Sequence, residues 1–490
     1  MSRLNSQNLP TLSGEVIKPA YDRVKVSPGI VHLGIGAFHR AHMAAYVDSV
    51  LAHEPNWGII GASLRRPDTK QALEPQDFLY TLVTRGEAGD HARIIGSVLD
   101  IIDASSDTGA LIARMARPDI RIVSLTITEK GYCRDTATGR LDQTHPDIVR
   151  DLARSEAPRS IPGVIVAALA ARRAAGQKGF TVLSCDNLQD NGHVAGQVVR
   201  EYAALLDPDL ARWVDENTRF PSTMVDRIVP ATSAENRETV AARLGLEDGW
   251  PVITEAFSQW VVEDDFIDGR PAWETAGVQM TGDVAPFEQM KLRMLNGSHS
   301  SFAYLGSLCG LTFVSEAATD PDLESFAHGL MTSEIIPTLS TPGVDLAAYR
   351  DALLARFANP SLEHRLAQIA MDGSQKLTQR LIRPVLERHA RGEPITHIAL
   401  ALAGWMAFVV HAAKNGDRVA DPLADRLVAA ALGGAMDADE ITDRFVGFTE
   451  IFPVEFARSR ELTTAVSEHL STILAHGVRA ALSTVIALPK

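Results

Sequence analysis

The first part of the chain alternates short apolar, β-branched runs with longer amphipathic segments. The short runs predict β-strands, which we expect at residues 30–33, 58–61, 94–98, 122–127 and 181–184. Between the last two runs, the Ala- and Arg-rich segment 162–176 predicts a helix. Strands that alternate with helices indicate a mostly parallel sheet with helices on both faces.

From about residue 285, helical Ala/Leu periodicity replaces the strand-like runs. Breakers such as Pro337, Pro342, Pro360 and Gly392 divide this part into an expected set of about eight to ten helices. The most apolar stretch, 398–413, is shorter than the roughly 20 residues that cross a bilayer, so we expect a buried helix there. We predict an α/β domain at 1–284 and a mainly α-helical domain at 285–490.

Composition narrows the class of protein. Hydrophobic residues make up 46% and charged residues 22%, as in ordinary globular proteins. With 61 acidic and 47 basic residues, a net charge of −14 and no Lys/Arg-rich block, neither nucleic acid nor an anionic membrane is an expected partner. Three separated cysteines predict neither a disulfide framework nor a zinc site. The N-terminus lacks a signal-peptide core and no heptad seam is visible, so we expect a cytoplasmic monomer.

The segment 34–42 follows the first predicted strand directly. Gly34 and Gly36 would let the backbone turn sharply and approach a pyrophosphate held by the amides of the next helix. His39 occupies the place of the usual third glycine. We predict a dinucleotide site that uses Gly34, Gly36, Phe38, His39 and Arg40. For His39 and the nearby His42, packing or capping is favoured over metal binding, because no carboxylate or third histidine accompanies them.

An acid near the end of the second strand often selects the cofactor. Asp68 is the candidate, because it could accept hydrogen bonds from the ribose hydroxyls of NAD and repel a 2′-phosphate. Arg65 and Arg66 could instead attract that phosphate, and an ordinary solvated loop is the remaining alternative.

A second polar group lies in the segment 288–299. On an α-helix at about 100° per residue, Glu288, His299 and Asn296 fall at about 60°, 80° and 140° from Lys291, within one arc of a mostly apolar helix. A lysine that loses solvation there becomes a better general base. Asn296 could donate to a developing alkoxide, and His299 could orient the substrate. The alternative is a surface helix with solvated Lys and Glu side chains.

A third group, Ser-Cys-Asp-Asn at 184–187, ends a predicted strand, where α/β sheets bind ligands. Asn187 could supply an amide donor, although a turn-forming Asp-Asn pair is an equal alternative. Asp226 and Glu129 are lone acids, and each by itself is better explained as structural.

Together these segments resemble the polyol-specific long-chain dehydrogenase/reductase family, also called the mannitol dehydrogenase family. The resemblance spans nearly the whole chain. Its carriers are G-x-G-x-F-H-R-A-H at 34–42, T-x-T-E-K-G-Y-C at 126–133, S-C-D-N at 184–187, M-V-D-R-I at 224–228 and K-x-x-x-x-N-x-x-H at 291–299. It implies an expanded Rossmann-type domain followed by a mainly α-helical domain, in agreement with the hydrophobic pattern.

The resemblance also implies a chemistry. The family carries out zinc-independent hydride transfer between NAD and a sugar-derived alcohol or ketone, so no metal is expected. Lys291 would be the general base in oxidation and the acid in reduction. Asn187 and Asn296 would form an oxyanion hole. His299 would help to position the substrate, and Glu288 would conduct protons between the lysine and solvent.

Substrate identity is the least determined feature. Asp226 and Lys376 match positions that contact substrate in mannitol enzymes, whereas Gln368 stands where those enzymes carry an arginine. The segment around Gln368 resembles the fructuronate-reducing branch, which implies reversible reduction of D-fructuronate to D-mannonate. Oxidation of D-mannitol, or of a related polyol or sugar acid, is the alternative. A substrate carboxylate requires a cation, for which Lys376, Arg380 and Lys130 are candidates. A nucleotide-binding sensor without turnover is the non-enzyme alternative, and the retained proton-transfer residues argue against it.

Overall fold

The computed structural model describes residues 1–86, 89–135, 138–154, 157–360, 363–434 and 437–486. The chain forms two compact units, Met1–Ala285 and Pro286–Lys490. Within the described residues, every strand belongs to the first unit. The strands are β1 Val16–Ile17, β2 Pro28–Leu33, β3 Gly58–Ser63, β4 Tyr80–Arg85, β5 His91–Ile95, β6 Val98–Asp103, β7 Ile122–Leu125, β8 Thr181–Ser184, β9 Thr223–Asp226, β10 Val252–Glu255, β11 Gln259–Glu263 and β12 Gln279–Thr281.

The α-helices continue through both units. Those before residue 285 are α1 Ala37–Ala41, α2 Met43–Val50, α3 Asp68–Leu73, α4 Thr108–Met115, α5 Pro146–Ala153, α6 Ile161–Ala174, α7 Asn191–Leu206, α8 Pro208–Asn217 and α9 Ala234–Leu244. Those that follow are α10 Ala285–Met290, α11 Gly297–Leu308, α12 Val314–Thr319, α13 Pro321–Gly329, α14 Leu346–Phe357, α15 Leu366–Ile369, α16 Gly373–Leu377, α17 Arg383–Ala390, α18 Thr396–Asn415, α19 Ala424–Leu432, α20 Ala438–Val446, α21 Val454–Arg458, α22 Arg460–His476 and α23 Val478–Ile486.

The central sheet of the first unit has the strand order β6-β3-β2-β7-β8, and all its pairs are parallel. Counted along the chain, this is the 3-2-1-4-5 order of a Rossmann-type sheet. The order reverses between β2 and β7. Because Leu33, Leu125 and Ser184 stand in register on β2, β7 and β8, the segments that follow these three strands emerge at one edge of the sheet. Ligands of such folds bind at this edge.

Both faces of this sheet are buried. On β2, Ile30 belongs to one apolar cluster with residues of α2, while Val31 belongs to another with residues of α6 and α7. Side chains alternate between the two faces of a strand, so a run of β-branched residues supplies both clusters. This explains why the strands could be recognised as continuous apolar runs.

One predicted strand is wrong in detail. The run 94–98 is split, because His91–Ile95 belongs to the four-stranded sheet β1-β5-β4-β10, whereas Val98–Asp103 is the third strand of the central sheet. The break falls at Gly96 and Ser97. Asp48 accepts the Gly96 N–H at 2.8 Å, and the Ser97 hydroxyl donates to the carbonyl of Ala44 at 2.7 Å. These contacts fix the break between the two strands against α2, while the Ser97 carbonyl already accepts the N–H of Ile59 on β3 at 2.9 Å.

The second unit is helical throughout its described residues. The described chain contains fourteen α-helices from Ala285 onward, more than the expected eight to ten, because several are short segments separated by π-helical turns. Helix α18 packs against α11 and α22. It is long and apolar enough to cross a membrane by length and composition alone, and 72% of its apolar window is buried inside the protein. It is the buried helix predicted at 398–413.

The segment predicted as a single α-helix at 288–299 has a different geometry. Helix α10 ends at Met290, a π-helix runs over Lys291–Asn296, and α11 starts at Gly297. A π-helical turn closes from residue i to i+5 instead of i+4, so each residue advances by less than 100°. Asn296 therefore lies nearer to the face of Lys291 than the α-helical angle of about 140° predicted.

Candidate active site

The glycine turn after β2 has the shape that a dinucleotide requires. Gly34 has a φ of 92°, and a Cβ built on it would stand 2.2 Å from the carbonyl oxygen of Thr126, so only glycine fits. Gly36 is exposed, and a Cβ there would project into open space, with the Gly34 oxygen at 3.8 Å as its nearest neighbour. Helix α1 begins at the next residue. A pyrophosphate can therefore approach the backbone closely, as NAD binding requires.

His39, in place of the third glycine, is buried beneath this turn. Its ring stacks on that of His32 with centroids 3.4 Å apart and planes inclined by 15°. Burial holds the pKa of His39 well below its usual range. Both ring nitrogens lack a hydrogen-bond partner among the described residues. The structure thus places His39 in a packed position under the glycine turn, which is the role that the sequence analysis favoured over metal binding.

His32 connects the turn to the neighbouring strand. Its Nδ1 lies 2.8 Å from the Ser124 hydroxyl and its Nε2 lies 2.8 Å from the Thr126 hydroxyl. The Thr126 hydroxyl donates to the carbonyl of Gly34 at 2.7 Å, so it must accept from Nε2–H of His32, and Ser124 must donate to Nδ1. Burial lowers the pKa of His32 to about 3, which keeps the ring neutral. Sequence reasoning overlooked His32 because its partners lie on another strand.

Phe38 and Arg40 follow in α1. The Phe38 ring is partly buried and stacks on His42 with centroids 5.0 Å apart. Arg40 is buried, donates to the carbonyl of Trp250 at 2.5 Å and lies over the Tyr80 ring. Burial lowers the pKa of Arg40 to about 10. Arg40 therefore ties α1 to the interior of the first unit.

Asp68 lies five residues beyond the end of β3, at the first residue of α3. Its side chain is exposed, as are those of Arg65 and Arg66. Asp68 follows the carboxyl end of β3, and β3 is paired with β2, the strand that leads into the glycine turn. Asp68 therefore begins a helix, whereas the alternative interpretation of the sequence was a solvated loop.

Asp186 organises the loop that follows β7. Its buried carboxylate accepts the N–H groups of Ile127 and Thr128 at 3.0 and 2.8 Å, and the Tyr132 hydroxyl at 2.7 Å. Thr128 has φ 63° and ψ 164°, a conformation that is readily available only to glycine. The carboxylate thus holds a strained loop whose next residue, Glu129, is exposed. The sequence indicated only a turn here, since these partners are some 58 residues away.

Two further predicted polar residues lie at or just after the ends of β9 and β8. Asn187 is exposed directly after Asp186, at the carboxyl end of β8. Asp226 is buried at the end of β9, opposite Gln259 in an antiparallel pair. The next residue, Arg227, donates to the carbonyl of Ala41 at the end of α1. The first unit therefore brings the glycine turn, the loop after β7 and Asn187 to one sheet edge, and links the end of β9 to the helix after that turn.

In the second unit, the four predicted polar side chains occupy successive turns of α10, the π-helix and α11. Glu288, Lys291, Asn296 and His299 are all buried, and Lys291 is only 8% exposed. The solvated surface helix is therefore excluded. The amide nitrogen of Asn296 and Nε2 of His299 have no hydrogen-bond partner among the described residues. Burial, followed by the charge of nearby cations, holds the pKa of His299 well below its usual range.

Arg380 lies beside this set. It donates to the Ser300 hydroxyl at 2.9 Å and to the carbonyl of Asn296 at 3.4 Å. Gln368 is exposed on α15, and Lys376 on α16 donates to the carbonyl of Met371 at 2.5 Å. His364, just before α15, meets the His299 ring edge-on at 5.4 Å, which connects the Gln368 segment to the buried histidine.

The parallel 3-2-1-4-5 sheet and the glycine turn at its switch point are those of a dinucleotide-binding protein, and a buried lysine in the helical unit is typical of an oxidoreductase that needs a general base. Residues 28–275 match the model of the mannitol dehydrogenase Rossmann domain, and residues 283–474 match that of the mannitol dehydrogenase C-terminal domain. The chain belongs to the mannitol dehydrogenase family. The family and fold class predicted from the sequence are confirmed.

Individual members of the family are similar to this chain over nearly its full length. The chain is 44% identical to the uncharacterized oxidoreductase YeiQ of Escherichia coli strain K12 over 477 residues, covering 96% of this chain and 97% of the relative. It is 42% identical to D-mannonate oxidoreductase of the same strain over 487 residues, covering 98% and 99%. The solved mannitol 2-dehydrogenase of Pseudomonas fluorescens, in a ternary complex with NAD and D-mannitol, is 38% identical with a TM-score of 0.86 and coverage of 99% and 100%. Its NAD agrees with the cofactor predicted from the sequence.

Proposed function

We propose that the protein is an NAD-dependent oxidoreductase that reversibly reduces D-fructuronate to D-mannonate. The observation that carries this proposal is the buried set Lys291, Asn296 and His299 on a π-helical turn and the helix after it. Burial favours the neutral, basic form of an amine, which can take a proton from an alcohol and return it to a ketone. The relationship to D-mannonate oxidoreductase over nearly the whole chain supports the substrate class.

Each residue has a distinct role in this proposal. NAD, bound at the glycine turn, supplies the hydride acceptor and donor. Lys291 holds or releases the proton of the substrate hydroxyl. Asn187 and Asn296 donate hydrogen bonds to the developing alkoxide. His299, neutral because of its burial, positions the substrate, and Glu288 passes protons between Lys291 and solvent.

The substrate-contacting residues of the proposal are Asp226, Lys376 and Gln368. The cofactor contacts are Gly34, Gly36, Phe38, His39 and Arg40, with Asp68 as the ribose acceptor. His39 and Arg40 fit this role through the placement of the glycine turn and α1, because both side chains are buried. The domain division at 284/285, a monomeric state and a cytoplasmic location remain part of the proposal.

A second candidate is oxidation of D-mannitol to D-fructose. It is favoured by the likeness to the solved mannitol 2-dehydrogenase bound to D-mannitol. Against it stands Gln368, an uncharged side chain at the position where mannitol enzymes resembling this chain carry an arginine.

The test is the rate of NADH oxidation by the purified protein with D-fructuronate and D-fructose, measured side by side at neutral pH. We expect a much higher kcat/KM for D-fructuronate. A preference for D-fructose would transfer the assignment to the mannitol reaction. Reduction of neither ketone would contradict both substrates.

A further inference from the structure

Arg380 is a partly buried cation. Among the described residues it forms no ion pair with a carboxylate, and its hydrogen bonds go to neutral oxygens of Ser300 and Asn296. Its burial is sufficient to lower its pKa to about 10. A guanidinium remains charged at neutral pH even so, and a buried charge without a counter-ion is costly. A site that keeps such a charge is prepared for an anion.

Three buried polar atoms near Arg380 lack a hydrogen-bond partner among the described residues. Tyr304 and His299 lie close enough for the charge of Arg380 to lower both of their pKa values, although burial raises that of Tyr304 overall. The Tyr304 hydroxyl, Nε2 of His299 and the amide nitrogen of Asn296 are buried without a hydrogen-bond partner among the described residues. A cation and several unsatisfied polar atoms on α11 and its neighbouring turns suit an oxygen-rich, negatively charged ligand.

The other two candidate cations are less suitable. Lys130 is exposed on the loop after β7, where solvent and salt screen its attraction for an anion. Lys376 already donates to the backbone carbonyl of Met371. Only a guanidinium among the three can bind both oxygens of a carboxylate side by side.

We propose that Arg380 binds the carboxylate of a sugar-acid substrate and thereby selects a uronate over the neutral ketose of the same chain length. This inference rests on the proposed function and names the residue that determines its substrate class. It uses contacts of the second unit alone, which lie around Asn296 at the end of the π-helix and His299 on α11.

The test compares D-fructuronate with D-fructose, which differ in carrying a carboxylate or a hydroxymethyl group at one end. In Arg380→Gln, we expect kcat/KM for D-fructuronate to fall by about 10²–10³-fold, mostly through a higher KM, because the loss of a charge-assisted pair weakens binding of the anion. We expect kcat/KM for D-fructose to change by less than about threefold, because a neutral end group gains little from the guanidinium. Arg380→Lys should be intermediate, since it keeps the charge and loses the paired hydrogen bonds.

Arg383→Gln is the matched control, because Arg383 is exposed three residues further along the same chain segment. It should leave both substrates unchanged. Thermal unfolding and NADH binding, followed by nucleotide fluorescence, should be the same in every variant, and D-mannonate should raise Tm in the wild type but not in Arg380→Gln.

The outcomes separate the two proposals. An equal fall for both ketones in Arg380→Gln would make Arg380 a positioning residue and overturn the carboxylate assignment. Unchanged kinetics would overturn it as well. If the wild type reduced D-fructose and not D-fructuronate, the carboxylate assignment would be wrong, but the assignment of NAD-dependent oxidoreductase activity would still hold. If it reduced neither, the proposed function itself would fail.

Discussion

Asp186 yields a quantitative prediction because a single buried carboxylate holds a strained loop. Its two oxygens accept the N–H groups of Ile127 and Thr128 and the hydroxyl of Tyr132. Asp186→Asn keeps the shape of the side chain but replaces one acceptor oxygen with an N–H donor. One of the two backbone N–H groups must then face another donor.

The magnitude follows from two opposing contributions. The lost charge assistance and the unsatisfied N–H together cost about 2–4 kcal/mol. Release of Thr128 from its strained conformation returns about 1–3 kcal/mol once the loop relaxes. We therefore expect the free energy of unfolding to fall by about 1 kcal/mol, which corresponds to a Tm lower by roughly 2–4 °C for a unit of this size.

A double-mutant cycle with Thr128→Gly measures the strain directly. In the wild type, glycine should raise Tm, because it adopts this backbone conformation freely. In Asp186→Asn the loop is already relaxed, so glycine should only destabilise, by about 0.5–1 kcal/mol of backbone entropy. The two effects should differ by about 1 kcal/mol or more in urea and thermal unfolding followed by circular dichroism.

Asp268→Asn is the control for the loss of a carboxylate. Asp268 is exposed and pairs with Lys178 at 3.4 Å, so its replacement should change stability by less than about 0.5 kcal/mol. Equal destabilisation by Thr128→Gly in both backgrounds would refute the strain argument. An Asp186→Asn protein as stable as the Asp268→Asn control would refute the role of Asp186.

Three further predictions concern the cofactor, the proton and pH. Lys291→Ala should bind NADH like the wild type in a fluorescence titration yet lose about 10²–10⁴-fold in kcat, and unchanged turnover would remove Lys291 from the mechanism. Asp68→Ala should lower the NAD(H)/NADP(H) ratio of kcat/KM by about tenfold, and an unmoved ratio would show that Asp68 is not the ribose acceptor. Burial depresses the pKa values of His32 and His39, so the unfolded chain binds more protons below about pH 6.5 and stability falls there by about 1.4 kcal/mol per pH unit for each ring. His39→Phe keeps the stacking and should flatten that slope by one proton in urea unfolding between pH 6 and about 4.5; an identical slope would contradict the assignment.

The predictable features of this protein are those that depend on neighbours in sequence. The glycine turn was recognisable because Gly34 and Gly36 follow an apolar strand directly, and the sheet was recognisable because both of its faces are buried. The break at Gly96 was missed because it depends on Asp48, which lies 48 residues earlier. The hydrogen bonds from Asp186 to the loop after β7 were missed for the same reason, because a turn pattern in the sequence does not reveal partners that are distant along the chain.

The π-helix shows why local reasoning fails at the functional residues. A spacing of five residues separates Lys291 from Asn296, and it places two side chains poorly on an α-helix but close to one turn apart on a π-helix. Such a turn is rare, so surrounding contacts must hold it. Arg293, within the turn, makes a paired salt bridge with Glu387 at 2.7 and 2.6 Å, and Arg380 donates to the carbonyl of Asn296. These contacts join residues that are distant in sequence, so helix propensity does not predict them. Local and global preferences are expected to disagree at functional sites. Arg293 makes the shorter, charge-paired contacts, so we expect it to hold the turn, whereas Arg380 lies 3.4 Å from the Asn296 carbonyl and keeps its charge for the proposed substrate carboxylate.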